Sequence, residues 1–159
     1  MAEPNIVMSR IDNRLVHGQV GVSWLTHLGA NLLLVADDEA AKDETQQAIM
    51  TMTARQYGVQ IRFFTLQKTA DIIHKAAPEQ KIFIITRTPV EMLYLIEHGV
   101  PIKEVNIGNM HFGEGKKQLS AHNYADEGEI EALKKIRDKT GSLFMQELPT
   151  SPKENFELG

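Results

Sequence analysis

Between Arg10 and Gly18 the chain gathers two arginines, a carboxylate and a histidine: Arg10, Asp12, Arg14 and His17. A histidine beside fixed positive charge suits phosphoryl transfer through a side chain. The nucleophile must be unprotonated near neutral pH, and the oxygens of the transferring group need cations around them. Imidazole has a reference pKa of about 6.5, and guanidinium neighbours disfavour its protonation, leaving one ring nitrogen free to attack. Arginine can grip two phosphate oxygens with its planar fork. His17 is therefore the candidate nucleophile, with Arg10 and Arg14 as phosphate-holding groups. Asp12 has a supporting role, orienting Arg14 or the imidazole, because direct contact with phosphate would be repulsive. Gly18 opens a helix whose first amides add a favourable site for a dianion. Spacing alone supports a second reading equally well, in which Arg10, Asp12 and Arg14 form a surface ion-pair cluster and His17 is a polar residue at a helix start.

Elements that could position these residues are visible in the apolar patterning. Branched apolar stretches at Asn5–Ile11, Leu32–Ala36, Gln60–Phe64, Lys81–Thr86, Glu104–Ile107 and Leu143–Glu147 predict strands. Helical spacing predicts helices after His17, where Val20, Trp24, Leu25 and Leu28 share a face, and at Glu44–Tyr57, Gln67–Ala76, Pro89–His98 and Glu127–Lys139. Thr88-Pro89 is a helix start, and Gly58, Gly99 and Gly141 stand at helix ends. Strands alternating with helices, several of them apolar throughout, indicate a single doubly wound α/β domain spanning residues 1–159. Its central sheet is mostly parallel and covered by helices on both faces. The tail from Pro149 to Gly159, with Pro152 and few apolar residues, is expected to be loosely held.

Ligands of open parallel sheets sit at the carboxyl ends of the strands, so two further loops matter. The run Gly108-Asn109-Met110-His111-Phe112-Gly113-Glu114-Gly115-Lys116-Lys117 is expected to neighbour the first loop. Asn109 and His111 would line the cleft, and Lys116 and Lys117 would be solvated. Asp37-Asp38-Glu39 follows the second strand. An acidic pair there suggests magnesium, but a helix-entry cap is the favoured reading. His27, His74, His98 and His122 sit singly, without metal-ligand spacing.

Bulk properties narrow the classes. With 42% hydrophobic and 24% charged residues the composition is that of an ordinary globular chain. No apolar run approaches the roughly 20 residues needed to span a bilayer, and no secretory signal is visible, so the cytoplasm is the expected location. Zero cysteines exclude thiolate chemistry, and a net charge of −4 without a basic block argues against nucleic-acid binding. Neither a Gly-x-x-x-x-Gly-Lys-Ser/Thr nor a Gly-x-Gly-x-x-Gly element follows any strand, which weakens a nucleotide-binding reading.

The stretch Ser9-Arg10-Ile11-Asp12-Asn13-Arg14-Leu15-Val16-His17-Gly18-Gln19-Val20 resembles the phosphorylation loop of IIB components in the mannose/fructose/sorbose family of bacterial sugar phosphotransferase systems. The likeness continues through Val35-Ala36-Asp37-Asp38-Glu39, Gln46-Gln47, Lys81-Ile82-Phe83 and Asn106 to Phe112, covering nearly the whole chain. This resemblance implies that His17 takes a phosphoryl group, on Nδ1, from the phosphohistidine of a IIA partner. It further implies delivery to a sugar imported through a membrane IIC/IID pair, with Arg10 and Arg14 holding the phosphate, peripheral association with the membrane, and no metal, nucleotide or other cofactor. Residues 61–65 and 109–117 look most like the branch handling galactosamine and N-acetylgalactosamine. A homodimer is left open, as is a non-catalytic phosphate-sensing module on the same fold.

Overall fold

The computed structural model describes residues 3–16 and 18–157; His17 lies outside them. Strands alternate with helices: β1 (Asn5–Asp12), α1 (Gly18–Leu28), β2 (Leu32–Ala36), α2 (Glu44–Gln56), β3 (Gln60–Phe64), α3 (Leu66–Ile72), β4 (Lys81–Thr86), α4 (Pro89–Glu97) and β5 (Val105–Asn109). A hairpin of β6 (Lys117–Ser120) and β7 (Asn123–Ala125) follows, then α5 (Glu127–Thr140), β8 (Leu143–Met145) and β9 (Glu154–Asn155). The main sheet has seven strands in the order β3-β2-β4-β1-β5-β8-β9. Its pairs are parallel except β8/β9.

The period-two alternation of side chains along a strand divides the core between the two faces of the sheet. On one face Leu32, Leu34, Ile82, Ile84, Ile107 and Leu143 pack with Met92 and Leu95 of α4 and Leu133 and Ile136 of α5. On the other, Leu33, Val35, Phe83, Ile85 and Phe144 pack with Trp24 and Leu25 of α1 and Met50 of α2. Both faces being buried explains why β2 and β4 read as unbroken apolar runs. The α/β fold with helices on both faces is as expected.

Helix ends follow local chemistry. The Thr88 hydroxyl caps α4 with Pro89 just inside it, and Asp126 and Glu129 form a reciprocal capping box on α5. α5 ends at Gly141, which takes the left-handed φ of 76°. Two features differ from expectation. Part of the stretch after the fifth strand is the β6/β7 hairpin, too short and too polar in β6 to carry an apolar alternation. The tail is held at Glu154 and Asn155, which pair with β8, and at Phe156, which is buried against the core. One aromatic ring suffices to dock it.

Candidate functional site

Neighbouring strands β1 and β4 send their chains to opposite faces of the sheet, β1 into α1 and β4 into α4. A crevice opens where such connections diverge, at the carboxyl ends of the strands. Residues 13–16 follow the end of β1 there, and Arg87 to Glu91 follow the end of β4. At the end of β1, Asp12 is buried and its Oδ1 accepts the backbone N–H of Arg14 at 2.9 Å, while its carbonyl accepts that of Leu15 at 2.9 Å. This double turn is the local role for which aspartate is suited. Leu15 then adopts φ 58°, a left-handed conformation costing a side-chain-bearing residue roughly 1–2 kcal/mol. Burial of the Leu15 and Val16 side chains offsets that cost and anchors the two residues preceding His17.

Arg10 is 1% exposed. Its Nη1 donates to Asn106 Oδ1 and to the Gln146 carbonyl at 3.0 Å; its Nη2 donates to the Glu147 carbonyl at 3.1 Å and to Asp12 Oδ2 at 3.5 Å. The guanidinium also lies 5.6 Å from the centre of the Trp24 ring, whose indole N–H donates to the same Glu147 carbonyl. A Cβ on Gly108 would collide with the guanidinium, so the absent side chain at that position is what admits Arg10. Burial lowers the Arg10 pKa to about 10, opposed by the charge of Asp12, so the group stays cationic at neutral pH. The expectation that Arg10 grips phosphate does not fit this geometry. Its terminal nitrogens already make four bonds within the protein, and it acts as a buried strut joining β1, β5 and the chain after β8. Arg14, by contrast, is 29% exposed, and among the described residues its side chain is bonded only through Nε, at 3.4 Å from Asp12 Oδ1.

Asn13 ties three strand ends together. Its side-chain amide donates to the Arg87 carbonyl at 2.8 Å, its Oδ1 accepts the His111 N–H, and its backbone N–H donates to the Asn109 carbonyl at 2.9 Å. Asn109 and His111 are thus beside the first loop, as expected, though the contacts seen use their backbone. His111 is exposed, and Phe112, 74% exposed, meets only the edge of the Tyr124 ring among aromatic neighbours described. Lys116, expected in solvent, instead pairs with Glu129 at 3.2 Å, while Lys117 is exposed.

After β2 the two aspartates of Asp37-Asp38 part company. Asp38 accepts the Leu66 N–H at 2.9 Å. Asp37, 2% exposed, accepts Arg87 Nε on Oδ1 at 3.3 Å, and Arg87 Nη2 at 3.1 Å and the Ala40 N–H at 2.9 Å on Oδ2. Glu91, in the first turn of α4, accepts the Thr88 hydroxyl at 3.2 Å. Burial raises the Asp37 pKa, but the bonds from Arg87 and Ala40 and the neighbouring Glu91 outweigh it and hold the carboxyl below its ordinary value. Arg87 is raised, chiefly by its bond to Asp37. Glu91 is pushed up to about 8 by burial and then by the neighbouring Asp37 carboxylate. The magnesium reading of the acidic pair gives way to an arginine clamp with a capped turn beside it.

Asn13, Arg87, Glu91, Asn106 and Gly108 were not foreseen as site residues. Asn13 and Gly108 lay inside motifs already singled out, where an amide between two charged residues and a glycine facing a buried side chain carry no separate signal. The position of Arg87 at the end of an apolar strand was visible, and that position is the cue for ligand-facing residues in such sheets.

Residues 6–158 match the family described as PTS system sorbose subfamily IIB component. The N-acetylgalactosamine-specific phosphotransferase enzyme IIB component 1 of Escherichia coli (strain K12) is 53% identical over 154 residues, 97% of this chain and 98% of that protein. The crystal structure of PTS system N-acetylgalactosamine-specific IIB component 1 from Escherichia coli is similar with a TM-score of 0.94, at 52% identity, covering 96% of this chain and 100% of that one. A PTS-dependent N-acetyl-galactosamine IIB component from Streptococcus pyogenes is similar with a TM-score of 0.89, at 37% identity, covering 96% and 93% of the two chains.

Proposed function

This chain belongs to the sorbose subfamily of phosphotransferase-system IIB components, which are phosphotransferases in sugar uptake, and from that premise we propose that His17 is its phosphoryl acceptor. The His17 imidazole attacks the phosphorus of a phosphohistidine on a IIA partner, the bond to the IIA nitrogen breaks in line, and the phosphoryl group then passes to a sugar hydroxyl during import through a IIC/IID pair. N-acetylgalactosamine is the sugar on the strength of the names of its relatives, with galactosamine added by the likeness of residues 61–65 and 109–117 to that branch. No helix among the described residues is long and apolar enough to cross a membrane, which fits a cytoplasmic component that docks on the transporter.

The observation that carries this reading is the turn built immediately before His17, where the buried Asp12 and the left-handed Leu15 hold the chain at the mouth of the crevice. Arg14 is the residue that meets the phosphate, its terminal nitrogens turned to no described partner. Arg10 works at one remove, by holding Asp12. The helix start at Gly18 supplies backbone amides to the anion.

Reconstitution tests the reading: membranes carrying the cognate IIC/IID proteins, a phosphorylated IIA partner and this chain are given a panel of hexoses and amino sugars. Phosphorylation of galactosamine or N-acetylgalactosamine ahead of mannose, fructose and sorbose is expected, together with its loss in His17→Ala. Unchanged sugar phosphorylation by that variant contradicts the assignment.

A further inference from the structure

A primary amide carries its donor hydrogens on one atom and its acceptor lone pairs on the other, so an asparagine between a carbonyl and an N–H satisfies both in one orientation only. Asn13 is placed in that way. Its Nδ2 donates to the Arg87 carbonyl at 2.8 Å, and its Oδ1 accepts the His111 backbone N–H. Neighbouring strands lie about 4.8 Å apart, and β1 runs between β4 and β5, so one short side chain after β1 can reach across to both sides. Asn13, Arg87 and His111 all stand past the ends of their strands. The two bonds therefore order the connections that leave the sheet, and leave the sheet ladder itself untouched.

We propose that Asn13 is a positioning residue for phosphoryl transfer: its side-chain amide clamps the first loop between the connections after β4 and β5, and so sets where that loop carries His17. The proposal rests on the reading of His17 as acceptor. A clamp needs fixed jaws, and both are fixed. On one side the Arg87 guanidinium is held by Asp37 through Nε at 3.3 Å and Nη2 at 3.1 Å, and Asp37 in turn accepts the Ala40 N–H at 2.9 Å. On the other side Met110, fully buried, donates its N–H to the His122 carbonyl at 3.3 Å and accepts the Tyr124 N–H at 3.0 Å, which fixes the chain entering His111. The backbone N–H of Asn13 adds a bond to the Asn109 carbonyl at 2.9 Å. One line of hydrogen bonds thus crosses the ends of β2, β4, β1 and β5 and stops four residues before His17. In-line transfer needs the attacking nitrogen about 3–3.5 Å from phosphorus and aligned with the breaking bond, and a displacement of about 1 Å can cost on the order of 100-fold in rate. Asn13 is half-buried and belongs to neither apolar cluster, so its loss acts on the transfer step far more than on the core.

The test is single-turnover phosphoryl uptake from a phosphorylated IIA partner by wild type, Asn13→Ala and Asn13→Asp, with the donor concentration varied and urea midpoints measured alongside. Asn13→Ala is expected to lower the rate at saturating donor on the order of 100-fold, with the half-saturating donor concentration within about twofold of wild type. Asn13→Asp keeps the acceptor for His111 but turns a carboxylate oxygen toward the Arg87 carbonyl; it is expected to lose more than about tenfold in rate at nearly unchanged size, and it decides the matter if Asn13→Ala folds poorly. Saturating rates equal to wild type in both variants overturn the proposal, as does a loss confined to the half-saturating concentration. Amide hydrogen exchange at His111 reads the clamp without the reaction: exchange is expected roughly tenfold faster in Asn13→Ala and slow in wild type and Asn13→Asp. If wild type takes no phosphate, the acceptor reading has failed, and exchange at His111 that is equal in wild type and Asn13→Ala rejects the clamp on its own account.

Discussion

Two arginines at the same edge of the sheet meet carboxylates in opposite ways. Arg10 is sealed between β1, β5 and the chain after β8, its charge met by Asp12, Asn106 and two carbonyls, with Gly108 and Trp24 against its flat faces. Arg87 stands 29% exposed, its guanidinium bound to Asp37 at 3.1 Å. The first assembly is fixed by four bonds to the guanidinium and works as a frame. The second rests on one carboxylate and stands partly in solvent. Between them lies the first loop, pinned by Asp12 on one side and by Asn13 on the other. A charge is made rigid here by the number of its partners, and left partly in solvent where it has one.

That contrast orders the expected effects. Arg10→Met removes a buried cation and strands Asp12, Asn106 and two carbonyls, so it should cost about 3–5 kcal/mol, read as a lower urea midpoint; a midpoint within experimental error of wild type would deny Arg10 its framing role. Gly108→Ala attacks the same node from the other side by forcing the guanidinium out of place, and should cost about 1–3 kcal/mol. Arg87→Met should be milder in stability, because the pair is partly in solvent, and should act more strongly on the rate of phosphoryl uptake than on folding. A larger loss of stability than that of Arg10→Met would reverse the comparison.

A further effect is the pH dependence of stability. The folded-state pKa of Glu91 is raised from 4.5 to about 8, so folding binds a proton there that the unfolded chain releases. Stability from this group is fully present below about pH 4.5 and is lost as pH rises through about 8. Asp37 has the opposite sign: its pKa is lowered, and its contribution is lost on acidification. Melting temperature should decline from pH 6 to pH 9, and Glu91→Gln should decline less, by roughly 2–4 °C for each kcal/mol involved. Equal slopes would mean that Glu91 titrates alike in the folded and unfolded chains.

Much of the fold was legible because the sheet is buried on both faces and its strands announce themselves as apolar runs, as Leu32–Ala36 does. The tail and the β6/β7 hairpin escaped because each depends on few residues, Phe156 in one case and a polar four-residue strand in the other. At the site, the residue types between Arg10 and His17 pointed to phosphate chemistry, but the sequence could not tell which arginine faces outward. Arg10 and Arg14 differ by four positions along the chain, and only the placement of Arg10 within β1 buries it beside Trp24. Glu91 carried no signal at all. An acidic residue in the first turn of a helix is ordinary, and its meaning came from Asp37, 54 positions away.

The central claim concerns His17, and site mapping of the phosphate tests it most directly. The chain is phosphorylated through its IIA partner, kept at alkaline pH, cleaved, and fragmented by electron transfer so that the phosphoramidate survives. The phosphoryl group is predicted on His17, with acid lability and stability to base, and Arg14→Lys is predicted to slow its arrival without moving it. Phosphate found on His111, or on any aspartate of the crevice, would contradict the assignment of His17 as acceptor.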